Sequence, residues 1–341
     1  MNDFVRLTLA DAEDLAVRAL IASNTSMANA RSTAAALVAA EADGQKGHGL
    51  SRIPSYAAQA RSGKVNGLAV PSAVRTATAL LRVDANSGFA YPAIDLACDA
   101  LPDLVSVTGV AAACVFNSHH FGQAGAHAER LAARGLVALV LSNSPKAINF
   151  WGGSKPMLGT NPIAFAVPRE DGVPLVIDLA LSKVARGKIV AAKNAGQKIP
   201  DSWALDADGN PTDDPTAALA GSMLPIGDAK GAALVLMVEL LTAALTGSNF
   251  GYEASSFFDS EGDPPHIGHT LIVFQPELSS GGGFAERVTN IISALEHTDG
   301  ARLPGTSRLT HRQRSVEEGV AISTALHQEI TAIINSGKAN G

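Results

Sequence analysis

The chain has 341 residues, of which 46% are hydrophobic and 17% charged, and it carries a formal net charge of −6. Such a length and apolar fraction fit one large or two ordinary globular domains and exclude a disordered chain. The acidic balance, with no long basic run, argues against nucleic acid as a partner, although local clusters such as Lys183, Arg186 and Lys188 suit a small anion.

The N-terminus, MNDFVRLTLADAEDLAV, lacks a basic start followed by an apolar core, so no signal peptide is predicted. The first 65 residues read as helical. Thr8 to Asp11 resembles a cap before Leu15, Ala16 and Leu20; a second helix spans about Ser26 to Ala42, ended by Gly44; a third follows Arg52 up to Gly63 and carries Tyr56. From residue 79 strands and helices alternate: a strand at Leu80 to Val83, a helix from Tyr91 to Leu101, a buried strand from Gly109 to Phe116, a helix from Gln123 to Ala133 and a buried strand from Leu136 to Leu141. This pattern indicates an α/β layer arrangement. Cys98 and Cys114 lie in apolar surroundings and read as buried free thiols of a cytoplasmic protein. A turn-rich stretch covers 143–162, and short strands follow at Ile163 to Val167 and Pro174 to Ile177. The segment Asp201 to Pro225, rich in Asp, Pro and Gly, is expected to wander over the surface. Lys230 opens a helix closed by Gly247, His269 to Phe274 reads as a strand, and two helices finish the chain, the last starting near Ser315 to Glu318. No apolar run reaches the ~18 residues of a membrane span, so no membrane partner is expected.

Asp43 to Arg52 places His48 and Arg52 among three glycines. An imidazole moves protons near neutral pH, and a guanidinium four residues on grips a carboxylate by two parallel hydrogen bonds. The pair suggests an enzyme acting on a small organic acid; the alternative is a glycine-rich helix exit with a surface His and Arg. The G-x-G-x-x-G fingerprint, the Walker loop and H-E-x-x-H are all missing, and neither His119-His120 nor His266/His269 has a ligand pattern that supports a metal. His120-Phe121-Gly122-Gln123-Ala124-Gly125 instead marks a strand-to-helix junction suited to an anion, and Gly227 to Gly231 repeats that chemistry with Lys230 in place. Glycines that merely permit tight packing remain the alternative at each; together they favour a dinucleotide held without the common fingerprint.

Seven segments in order, GHGLSRIPSY (47–56), NSHHFGQAGAHAERLAARGLVAL (117–139), NSPKAINFWGG (143–153), LGTNPIAFAVP (158–168), IDLALSKVARGKI (177–189), GDAKGAALVLMVELLTAALTG (227–247) and RLPGTSR (302–308), closely resemble the malate/L-lactate dehydrogenase type 2 family. The resemblance implies a non-Rossmann NAD(P)-binding α/β fold with a helical N-terminal region and mixed-sheet domains, a homodimer, and hydride transfer from NADPH, with NADH possible. It implies a helical region over 1–75 carrying His48 and Arg52, a scaffold domain over 76–116 and 285–341, and a cofactor domain over 117–284. By position His48 resembles the proton donor, while Arg52 and Thr160 resemble substrate contacts. His120, Phe121, Gly122, Gln123, Ala124, Asp178, Leu179, Ala180, Ala229, Lys230, Gly305 and Arg308 resemble cofactor contacts. On residues alone Thr160 reads almost equally as a turn hydroxyl and Asp178 as a surface cap, and Trp151 reads as a buried structural indole rather than a pocket wall. Two positions depart from the family: Gly47 replaces a serine common before the histidine, and Lys188 stands where some reductases carry an acid. A full Ser–His–Asp relay is therefore absent, leaving Lys46 or Lys188 to set the field around His48 or, preferred slightly, Lys188 to bind an anion. Within the family the motifs look most like reductases of Δ1-pyrroline-2-carboxylate and Δ1-piperideine-2-carboxylate, giving L-proline and L-pipecolate. A malate- or lactate-type 2-hydroxy-acid dehydrogenase is the alternative, and a binding protein that has lost catalysis is a third.

Overall fold

The computed structural model describes residues 3–170 and 172–338. Strand β1 (Phe4–Leu7) leads into α1 (Leu9–Ile21), whose first turn is capped by the Thr8 hydroxyl accepting the Asp11 N–H at 3.1 Å. Next come α2 (Met27–Ala42), two 3-10 turns (Lys46–His48 and Leu50–Arg52) and α3 (Ile53–Ser62). The central part holds β2 (Ser72–Ala77), β3 (Leu80–Asp84), α4 (Ala90–Thr108), β4 (Val110–Ser118), α5 (Ala124–Ala132) and β5 (Val137–Ser142). After them run β6 (Ile148–Asn149), β7 (Pro156–Leu158), β8 (Ile163–Val167), β9 (Leu175–Leu179), α6 (Arg186–Asn194), β10 (Ala204–Leu205), α7 (Pro215–Ala220), β11 (Ser222–Met223) and α8 (Asp228–Glu239). A π-helical turn, Leu240–Ala244, extends α8; β12 (Ile267–Phe274), α9 (Pro276–Ser280), α10 (Phe284–Glu296), α11 (Thr306–Glu318), β13 (Val320–Ser323) and α12 (Thr324–Lys338) finish the described chain. Among the described residues no helix is long and apolar enough to cross a membrane.

A seven-stranded sheet in the order β2-β3-β4-β12-β5-β8-β9 forms the centre. Within this sheet only β3 and β4 run parallel; β12, inserted between β4 and β5, is antiparallel to both. Successive side chains of a strand point to opposite faces, so each strand feeds two cores. Ala138, Val140, Ala164 and Ala166 pack with α4 and α5 on one face. On the other, Leu141 joins Val235 and Val238 of α8, while Val137 and Val167 meet Val288 and Ile292 of α10.

This topology gathers distant segments at one end of the sheet. The register pairs Ser118 with Ile267, His269 with Ser142, Leu141 with Ile163, and Ile163 with Leu179. The chain leaving β4, the chain leaving β5, the turn entering β8 and the chain leaving β9 therefore share one edge.

Four details differ from the sequence-based expectation. β1 pairs antiparallel with β13, Phe4 opposite Ser323, a contact across almost the whole chain that no local period reveals. α4 continues through Pro102 to Thr108, because the Cys98 carbonyl that Pro102 cannot serve accepts from the Arg134 guanidinium at 2.9 Å. The segment 201–225 does not wander: β10 and β11 form a small sheet with β6 and β7, and Ala204 and Met223 are buried. Ser315 to Glu318 ends α11 rather than starting the last helix, and β13 intervenes before α12.

Charge locks the C-terminal region to the helical layer. Asp43, at the end of α2, and Glu129 of α5 share Arg308 and Arg312 of α11, with Arg312 Nε 2.7 Å from Asp43 and Arg308 Nη1 2.6 Å from Glu129. Burial alone would raise the Glu129 carboxyl, but the hydrogen bonds from Arg312 and Arg308 hold it below the ordinary value. Arg308→Met should therefore cost about 3 kcal/mol, the low end for breaking a buried ion pair, because Arg312 keeps both carboxylates. A urea unfolding midpoint displaced by that amount at constant slope is the expected result; a displacement worth under ~1 kcal/mol would place the cluster's stability elsewhere.

Candidate active site

The segment after α2 is shaped by a buried carboxylate. Glu41 accepts the Leu50 N–H at 3.0 Å, and a Cβ on Gly49 would sit 2.3 Å from Glu41 Oε2, so only glycine lets the chain pass. The two tight turns that result bring His48 against the chain leaving β4. His48 Nδ1 lies 3.2 Å from His120 Nε2, and the rings stack at 5.2 Å. His120 Nδ1 lies 2.6 Å from the Tyr56 hydroxyl, which is 3.2 Å from that of Tyr91. His48 Nε2 has no hydrogen-bond partner among the described residues.

Electrostatics decides what this row of four groups does. Burial first, then the Arg52 charge, lowers His48 to about 4. The same two causes hold His120 well below the usual imidazole range. Burial pushes Tyr56 up to about 12 and Tyr91 well above the phenol range, so neither phenol releases a proton into the row at neutral pH. The row therefore fixes the His48 ring and leaves Nε2 as its nitrogen without a partner among the described residues. Of the two lysines offered as alternatives for setting the field around His48, neither is among the charges acting on it. Lys46 Nζ donates to the Ala321 carbonyl at 3.2 Å, Lys188 is exposed near the start of α6, and Arg52 is the cation that acts.

Arg52 is half-buried, its Nε donating to the Gly47 carbonyl at 2.6 Å and its guanidinium 4.8 Å from the centre of the Phe258 ring. Among the described residues no carboxylate hydrogen-bonds to Arg52, His48 or His120. Among the described residues nothing hydrogen-bonds to the terminal nitrogens of Arg52, which leaves them available to form a fork.

The other candidate residues lie around the same sheet end. The Thr160 N–H donates to Ser144 Oγ at 3.0 Å, and the Thr160 carbonyl accepts the Leu181 N–H at 2.8 Å. Leu181 in turn accepts the Ile226 N–H at 2.9 Å, which draws the chain beyond Asp178, Leu179 and Ala180 beside the start of α8. Ala229 and Lys230 are exposed there, at a helix start with no side-chain cap. Phe121 stacks on His269 at 4.5 Å, and His269 bonds Ser118 and Ser142, tying the ends of β4 and β5 together. Asp178 Oδ2 accepts the Gly125 N–H at 2.8 Å; the protein crowded around this carboxyl raises it, against the lowering by that bond and by Arg308. A Cβ on Gly125 would strike Asp178, and one on Gly122 would lie 2.7 Å from the Tyr91 hydroxyl. Gln123 Nε2 donates to Asp43, while its buried Oε1 has no partner among the described residues. Gly305 lies against the Val176 carbonyl, one strand position pair from Asp178, but the Arg308 guanidinium is occupied by Asp43 and Glu129. Trp151, expected to be buried, is half exposed. Sequence reasoning assigned no part to Phe257 or Phe258, and none in the proton site to Tyr56.

Comparison with known proteins gives the family. The malate/L-lactate dehydrogenase family model matches residues 7–331. Over 326 residues the chain is 52% identical to a (2R)-3-sulfolactate dehydrogenase (NADP(+)) of Chromohalobacter salexigens, covering 96% of this chain and 97% of that one. It is 41% identical over 303 residues to a Δ1-pyrroline-2-carboxylate/Δ1-piperideine-2-carboxylate reductase of Pseudomonas putida, covering 87% and 88%. The crystal structure of Δ1-piperideine-2-carboxylate reductase from Pseudomonas syringae superposes with a TM-score of 0.91 at 38% identity, over 96% of this chain and 99% of that one. A sulfolactate dehydrogenase of Methanocaldococcus jannaschii superposes at 0.90 with 27% identity, over 98% of each chain.

Proposed function

The chain belongs to the malate/L-lactate dehydrogenase family of oxidoreductases, and from that premise we propose that it interconverts a small 2-hydroxy acid and its 2-oxo acid with NADP(H), 3-sulfolactate being the first substrate to try. The carrying observation is the field at His48: one cation, Arg52, and, among the described residues, no hydrogen-bonded carboxylate. A 2-oxo acid gathers negative charge on its carbonyl oxygen as hydride arrives, which such a field favours. A cyclic imine is reduced as its cation, and among the described residues no carboxylate hydrogen-bonds to this row to favour one. The 52% identity to a sulfolactate dehydrogenase supports the same order.

The residues present fit a phosphorylated dinucleotide. Gln123 offers an unmet buried acceptor beside His120, and the uncapped start of α8 presents its first amides together with Lys230. Residues 120–124, 178–180 and 229–230 would hold the cofactor, and when bound it supplies or accepts the hydride. Arg52 would hold the carboxylate by its two terminal nitrogens. His48 Nε2 would take the hydroxyl proton during oxidation and return it during reduction. Because Arg52 is one cause of the low His48 value, a carboxylate that offsets Arg52 raises the proton affinity of His48 as it binds.

Cyclic-imine reduction to L-proline or L-pipecolate is the second reading, favoured by the 41% identical reductase and the 0.91 superposition; there His48 would supply the ring-nitrogen proton. A spectrophotometric panel with both nicotinamide cofactors separates the two. The expected outcome is oxidation of NADPH by 3-sulfopyruvate or a related 2-oxo acid at ten times or more the kcat/KM of either imine, a gap of about 1.4 kcal/mol. The reverse order would overturn the first reading.

A further inference from the structure

Residues 254–263 form a loop over the His48 and Arg52 site, and its construction is unusual for a surface loop. It is built around Lys64, whose side chain is only 1% exposed. The ammonium donates to the carbonyls of Ser256 at 2.8 Å, Asp259 at 3.1 Å and Glu261 at 2.6 Å, and it pairs with the Asp259 carboxylate at 3.1 Å. Gln59 Nε2 adds a bond to the Asp259 carbonyl at 2.9 Å. Two aromatic residues follow from this anchoring. Phe257 is buried, its ring 5.1 Å from that of His119 and 5.2 Å from that of His120. Phe258 is 62% exposed, yet its ring lies under the Arg52 guanidinium. Core packing does not explain a large apolar ring left so open to water.

We propose that Phe258 is a positioning residue for the acid substrate, holding the plane of Arg52, and that Lys64 is the anchor keeping the ring in place. Arg52 Nε is already committed to the Gly47 carbonyl. With one face covered as well, the guanidinium has little freedom left and presents its two terminal nitrogens together. A preorganised fork gives up less conformational freedom when a carboxylate arrives than a freely rotating one. The inference rests on the reading of Arg52 as the carboxylate clamp, and the test separates the two.

Steady-state KM and kcat for the acid, with the NADPH Kd from fluorescence, are measured for Phe258→Ala, Phe258→Trp, Lys64→Met, Arg52→Gln and the double variant Arg52→Gln/Phe258→Ala. Loss of a cation–π contact of this kind should raise KM in Phe258→Ala by about three- to tenfold while kcat, NADPH Kd and melting temperature stay put. Phe258→Trp should keep the low KM, and Phe258→Ala should have no further effect once Arg52 is gone. Lys64→Met should raise KM in the same direction; should it fail to fold, the Phe258 variants carry the test alone. An unchanged KM in Phe258→Ala, or an equal rise with Arg52 absent, overturns the inference. If Arg52→Gln itself leaves KM unchanged, it is the clamp that fails.

Discussion

Replacing His48 with alanine is expected to lower kcat/KM about a hundred- to ten-thousand-fold, the usual contribution of a positioned general acid or base, with NADPH affinity unchanged. The ring reaches its place through Gly49, which admits Glu41, and through the stack on His120, so little besides the proton exchanger is removed. The pH dependence gives an independent check. With His48 at about 4, the free enzyme holds a neutral imidazole at neutral pH. Oxidation, which needs that base, should show a kcat/KM independent of pH above about 4 and falling tenfold per unit below it. Reduction needs the protonated ring, so its kcat/KM should fall about tenfold for each unit of rise between pH 6 and 8. A reductive kcat/KM that is level across that range would mean that the proton comes from another group.

Arg52→Gln should reduce kcat/KM for the acid between about thirty- and several-thousand-fold, corresponding to about 2–5 kcal/mol for truncating one partner of a desolvated charge pair. Arg52→Lys should recover little of it. An ammonium can neither bond the Gly47 carbonyl through Nε nor present a planar fork over the Phe258 ring. Arg52 also depresses His48, so its removal should move the acid limb of the oxidative profile upward. Substrate affinity and a proton affinity would then change together from one substitution. A kcat/KM within about twofold of the parent would remove Arg52 from the substrate site, since a lost charged hydrogen bond costs more than that.

Much of this was legible in the chain because it is local. Thr8 and Ser26 announce their helices, the apolar run before Asn117 marks β4, and the spacing of His48 and Arg52 suggests a proton mover beside an anion clamp. Tertiary pairing was not legible. β1 is four residues long and finds its partner more than 300 residues away, and nothing near Phe4 says so. His120 stood out as part of a glycine-rich helix start, yet its ring serves His48 and Tyr56, a role that exists only once α3 and the end of β4 meet. Lys64 carries no signal in the sequence, because its partners are carbonyls of the loop 254–263, about 190 residues away. Lys46 shows the reverse: a charge two residues from His48 in sequence points elsewhere in space, to the Ala321 carbonyl. The motifs serve both chemistries, so the choice between the two substrate readings was never legible in them; it rests on the charges assembled around His48.

A crystal structure of the protein with NADP(+) and an unreactive hydroxy-acid analogue such as tartronate tests the assignment most directly. His48 Nε2 should lie within ~3.2 Å of the analogue's C2 oxygen, with both terminal nitrogens of Arg52 on one carboxylate and the nicotinamide ring on the other side of C2. An analogue held beside the nicotinamide by other residues, with His48 and Arg52 turned to solvent, would contradict it.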